Sequence, residues 1–232
     1  MSLVVPAVLS SSREDFLEKL ERLVRIPSVA RVQIDVVDGM FATPASWPYT
    51  APHELSEMRA QGGMLPELDR VAYEIDLMCL YALDAADTWL ALGSTRLTFH
   101  AESALDLNRL LAAARDRYGH FVTFGLALNI ASDLALIEPC LAEITYVQFM
   151  GIATIGRQGQ PFDWRVMKKI RLFRSRHPDI PVQVDGGISL ETGRDLVVLG
   201  VANLVAGSVI LRASDPEALI ERFENLQTPF GV

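Results

Sequence analysis

A closed (β/α)8 barrel, the TIM-barrel architecture, is the fold that the sequence predicts, and three observations carry it. Short strand-like runs and amphipathic stretches alternate eight times at even spacing through the 232 residues. No linker or low-complexity segment interrupts them, so residues 1–232 read as one domain. The strand-like runs are β-branched on one side and carry polar residues on the other, as barrel strands covered by helices require. An open doubly wound sheet also alternates strands and helices, but eight even units favour closure.

Leu3–Leu9 is the first strand, ended by Ser10-Ser11-Ser12. Ser12 and Asp15 have capping-box-like spacing, and Phe16, Leu17, Leu20, Leu23 and Val24 form a helical stripe that Pro27 stops. In Arg31–Val37 the side chains of Gln33, Asp35 and Val37 share one face, and Val32, Ile34 and Val36 the other. Asp38-Gly39 ends that strand, and a proline-spaced loop leads to a helix near His53–Gln61. Arg70–Met78 is strand three, with Glu74, Asp76 and Met78 in step, and a helix from about Tyr81 to Leu92 follows. Thr95–His100 is strand four, and Leu107, Leu110, Leu111 and Ala114 mark a helix over Ala104–Tyr118. Val122–Leu128 is strand five, with a helix expected near Asp133–Leu141. Ile144–Met150 is strand six; Val166, Met167, Ile170 and Phe173 then share a helix face. Pro181–Asp185 and Ala202–Ala206 are strands seven and eight, with a helix of about Leu190–Leu199 between them. Asp215 caps the last helix and Pro216 occupies its first position.

Half the residues are hydrophobic and 22% are charged, an ordinary balance for a sizeable core. The net charge of −8 argues against nucleic-acid or anionic-membrane partners held by charge. No apolar run is long enough to span a bilayer. Cys79 and Cys140 sit in apolar surroundings and read as buried free thiols in a reducing, cytoplasmic setting. The apolar N-terminus lacks a preceding basic region and reads as a strand, not a signal peptide.

In such a barrel the chemistry sits at the C-terminal ends of the strands. There the inward parity carries Gln33, Asp35, Asp76, His100, Gln148 and Asp185, with Glu74 and Gln183 one layer deeper. Asp35, Asp76 and Asp185 could converge on one point; three carboxylates in one pocket need a cation among them or a retained proton. Each could instead cap a helix or bind loop amides. Gly156, Gly159, Gly186, Gly187, Gly207 and Ser208 follow strands six to eight and could cradle a phosphate with backbone amides, unless they merely shape tight turns. Arg157 could supplement that cradle. His100 reads as a hydrogen-bonded barrel residue more than as a catalyst, and Met78 and Met150 as core residues or an apolar rim.

Order and spacing of PAVLS, QIDVVDGMF, IDLM, FHAE, GLALN, GRQGQPF, VDGGI and VAGSVI resemble the ribulose-phosphate 3-epimerase family along nearly the whole chain. The resemblance implies a ribulose-phosphate-binding barrel that inverts a ketose phosphate at C3. It places the two acid/base residues at Asp35 and Asp185, which pass a proton through an enediolate. It also implies a homo-oligomer and a divalent metal held by two histidines and the two aspartates. Here those histidine positions are Gln33 and Asp76, so the ligand set would be Asp35, Asp76, Asp185 and Gln33. Such an oxygen set favours magnesium, manganese or calcium over zinc or iron. Ala7 stands where a serine is expected, Val37 replaces one of the methionines around the site, and the loop holding Arg157-Gln158 is about one residue longer. Ala7, Val37, Met78 and Met150 are thus expected to line the pocket. The competing readings are a non-catalytic phosphosugar-binding paralogue and another phosphosugar lyase or aldolase. The lysine-based D-x-K-x-x-D pattern of related decarboxylases is missing from the strand ends, and Lys168 and Lys169 fall on a helix.

Overall fold

A computed structural model describes residues 2–227. Eight parallel strands close into a barrel in sequence order. They are β1 (Val4–Leu9), β2 (Arg31–Val37), β3 (Ala72–Met78), β4 (Arg96–His100), β5 (Thr123–Leu128), β6 (Tyr146–Met150), β7 (Val182–Asp185) and β8 (Asn203–Ala206). Pairing of β8 with β1, Val4 opposite Leu204, completes the ring. Outside it run α1 (Arg13–Val24), α2 (Pro52–Ala60), α3 (Ala82–Ala91), α4 (Leu107–Tyr118), α5 (Arg165–Arg176), α6 (Leu190–Val198), α7 (Ser208–Leu211) and α8 (Pro216–Glu224). Among the described residues, no helix is long and apolar enough to cross a membrane.

Strand parity decides which side chains meet the helices and which meet each other. Val32, Ile34 and Val36 point outward into the main apolar core, which the stripes of α1 and α5 help to close. Phe16 of α1 stacks on Trp47 at 4.7 Å, and Trp89 of α3 meets both edge-on. Cys79 and Cys140 are buried free thiols, as expected, and burial pushes the Cys79 thiol up to about 12.

The caps follow the local sequence. Ser12 accepts from the Asp15 amide, but the Asp15 carboxylate returns to the Ser11 amide, so the expected capping box is shifted by one residue. Asp215 caps α8 through the Ala218 amide, with Pro216 in the first turn. Two expectations fail. The helix expected over Asp133–Leu141 is a pair of 3-10 segments, Leu134–Leu136 and Glu138–Glu143. Pro139 has no N–H for an i to i−4 bond, and Asp133 ties up the Ala135 amide. The helix expected from Ala104 begins at Leu107, because Asp106 accepts from the Arg109 amide and so sets the cap.

Candidate active site

The lumen of the barrel is polar, and a glutamate anchors it. Glu74 is wholly buried. It accepts from Arg96 Nε at 3.0 Å, from Thr98 at 3.1 Å and from Gln183 Nε2 at 2.6 Å. The Thr98 hydrogen goes to Glu74, so the Tyr146 hydroxyl, 2.6 Å away, donates to Thr98. Gln183 Nε2 also faces the side-chain oxygens of Gln33 at 3.2 Å and Gln148 at 2.8 Å. Buried amides left unpaired are costly, and this lattice offsets most of that cost, with the Gln183 Oε1 the one amide oxygen of the three without a partner among the described residues.

Above it sit the carboxylates. Register sets Asp35 directly opposite Asp76, and Met150 opposite Asp185. One oxygen from each of Asp35, Asp76 and Asp185 lies within 4.8 Å of the others, so the expected convergence is present. Gln33 Nε2 bridges the outer two, 2.8 Å from Asp35 and 3.2 Å from Asp185. Asp76 takes a hydrogen bond from Gln148 at 3.1 Å and shares one with His100 Nε2 at 3.0 Å. His100 is therefore a structural partner, as expected; Phe41 covers its ring at 5.4 Å.

Burial first, then the Asp76 and Glu74 charges, pushes the Asp35 carboxyl well above the usual range, against the Gln33 hydrogen bond. Asp185 is pushed up likewise by burial, then by Asp35 and Asp76. Burial opposes the His100 imidazolium, but Asp76 outweighs it and leaves that pKa raised. Two neighbouring carboxyls that resist joint ionisation can hold one proton between them, an arrangement chemically able to offer one acid and one base.

A cavity of about 540 Å³ opens over this layer. Asp35 and Asp185 line it at 6% and 9% exposure, whereas Asp76 and Gln33, at 0%, are sealed beneath its floor. Ala7, Met78 and Met150 are on its wall, as expected; Val37 is not. Val37 is packed behind Gly156 with Ala42 and Met78, so its parity was right but its depth was not. Gly156, Gly159, Gly186, Gly187, Gly207 and Ser208 also line the cavity. At Gly187 (φ 69°) a Cβ would lie 2.5 Å from the Phe162 Cα, so only glycine lets these loops close. At Gly207 it would meet Gln158 Nε2 at 2.4 Å. That Nε2 is buried without a partner among the described residues, a donor available to an anionic group.

Arg157 lines the cavity and donates from Nε to the Thr43 carbonyl at 3.1 Å. Arg212, absent from the sequence reading, also lines it, with guanidinium nitrogens 3.6 and 3.8 Å from the Cβ position of Gly159. Its signal was available: Arg212 follows Ser208 by one helical turn and so returns to the same side. Three buried carboxylates with oxygens this close fit a hard divalent cation. Gln33 turns its N–H toward them and its oxygen toward Gln183, so as held it is a hydrogen-bond donor and not a fourth ligand.

Residues 3–211 match the model of the "Ribulose-phosphate 3 epimerase family". The chain is 23% identical over 222 residues to the ribulose-phosphate 3-epimerase of Schizosaccharomyces pombe, covering 96% of this chain and 92% of that protein. It is 25% identical over 219 residues to the cytoplasmic isoform from Oryza sativa subsp. japonica, covering 94% and 90%. Among solved structures, the 3-hexulose-6-phosphate synthase of Salmonella typhimurium shares the fold at TM-score 0.67 and 14% identity, covering 98% of each chain.

Proposed function

Because the chain belongs to the ribulose-phosphate 3-epimerase family, we propose that it inverts C3 of a phosphorylated ketose, ribulose 5-phosphate being the first candidate. The observation that carries this reading is the placement of Asp35 and Asp185. Both line the cavity that the glycine loops also line, while Asp76 lies under its floor.

The reaction needs one carboxylate to take the C3 proton and one carboxylic acid to return a proton to the opposite face. Repulsion within the buried pair favours that division of roles. The Gln33 N–H holds an oxygen of each acid in place, which keeps the two oriented between turnovers. The glycine loops, Ser208, Gln158 and Arg212 would hold the phosphate, and Met78 and Met150 would exclude water from the intermediate. The like-folded Salmonella typhimurium synthase is named for a phosphorylated hexulose, a compound of the same class. A magnesium, manganese or calcium ion on Asp35, Asp76 and Asp185 would stabilise enediolate charge when bound. Lys169 donates to the carbonyls of Asn129 and Ser132, which leaves it no part in lyase chemistry in the cavity.

Two measurements test the proposal. Ribulose 5-phosphate in deuterated water should lose its C3 proton to solvent in the presence of the protein. No exchange, with or without added magnesium or manganese, would reject the isomerase reading; stabilisation against heat by the sugar phosphate alone would then indicate a binding protein. Arg212→Ala should raise KM about tenfold while leaving kcat within roughly twofold, the pattern of lost ground-state binding at a phosphate. An equal fall in kcat would instead move Arg212 into the chemical step.

A further inference from the structure

Glu74 sets the direction of the amides in the lumen, even though it leaves the Gln183 Oε1 without a partner among the described residues. Its carboxylate, bound to Arg96 and Thr98, offers acceptors, so the Gln183 atom 2.6 Å from it must be the nitrogen. The same nitrogen faces Gln33 and Gln148, which must therefore present oxygen to it. Their nitrogens then point up, Gln33 to Asp35 and Asp185, Gln148 to Asp76. Turning Gln33 over would set its N–H against the Gln183 N–H, donor against donor, deep in the barrel.

We infer that Gln183 is a positioning residue that locks the Gln33 and Gln148 amides with their N–H ends toward Asp35, Asp185 and Asp76, and thereby holds down the affinity of this site for a divalent cation. The locked amides satisfy the carboxylates with hydrogen bonds, which a cation must displace. They also withhold from the cation the one amide oxygen that Gln33 could offer. The inference concerns the carboxylates that the proposed reaction uses, but its test reads binding, so the epimerase reading can fail without it.

The probe is Mn2+ binding by calorimetry to the full-length protein, to Gln183→Met, to Gln33→Met and to the double variant. Methionine keeps the volume of the amide and removes its donor. Gln183→Met should bind Mn2+ roughly tenfold more tightly than the native chain, the scale on which partners behind a ligand shift affinity. The same substitution made on Gln33→Met should tighten binding clearly less, by no more than about threefold, since only the Gln148 amide beside Asp76 is left to turn. Thermal unfolding shows that each variant folds, and Gln183→Leu takes the place of Gln183→Met if the thioether does not pack. Equal tightening in both backgrounds, unchanged affinity in Gln183→Met, or no Mn2+ binding by any of the four proteins would overturn the inference.

Discussion

Asp35→Asn and Asp185→Asn should each lower the turnover of ribulose 5-phosphate by roughly a thousandfold or more, within the range of a lost general acid or base. Neither change should unfold the protein. Asparagine keeps the volume and one acceptor oxygen, so Gln33 Nε2 retains a partner on each side. KM should move little, because the loops proposed to hold the phosphate follow β6, β7 and β8 and do not include the exchanged atoms. The two variants should also differ from each other in one respect. A base that serves one face is enough to remove the proton from one epimer, so each variant should retain exchange with only one of the two sugar epimers. Retention of full epimerisation by either variant would remove that aspartate from the mechanism. Loss of exchange with both epimers in one variant would replace the two-base scheme with a single-base one.

Much of this site was legible because barrel strands obey a two-residue period. The bounds of β2 came out as Arg31–Val37, and parity alone put Gln33, Asp35, Asp76, His100, Gln148 and Asp185 inside. Parity says nothing of depth. Asp35 and Asp76 are opposite each other in register, yet one reaches the cavity and the other is fully buried, hydrogen-bonded to His100 and Gln148. Val37 has the inward parity of a wall residue and ends behind Gly156. The direction of the amides was equally hidden, since it is imposed on Gln33 by Glu74 of β3 through Gln183 of β7. Between β5 and β6 the apolar spacing of Leu134, Ile137 and Leu141 reads as a helix, and Pro139 overrides it. Propensity and period describe a segment; such reversals arise from a single residue or from contacts across the barrel.

Glu74→Leu should produce the largest loss of stability of any single change in the lumen. It takes the acceptor from Arg96, Thr98 and Gln183 together and leaves two guanidiniums, Arg96 at 20% exposure and Arg31 at 17%, without their carboxylate. Removing one partner of a buried pair costs about 3–5 kcal/mol. Arg96 keeps its contact over the Tyr146 ring, 4.5 Å to the centroid, and some access to water, which favours the lower part of that range. For a domain of this size that corresponds to a fall in Tm of roughly 6–12 °C, read by thermal unfolding with urea titration for the free energy. The loss should be mostly the stranded charge and not the missing attraction. Glu74→Leu/Arg96→Met should then recover part of it, the remainder being the Arg31 guanidinium that still lacks Glu74 at 3.8 Å. A single variant within about 1 kcal/mol of the native chain would show that water at the N-terminal end of the barrel already screens the pair. A double variant no better than the single one would place the cost in the amide lattice, where Gln183 would have lost the acceptor that fixes its direction.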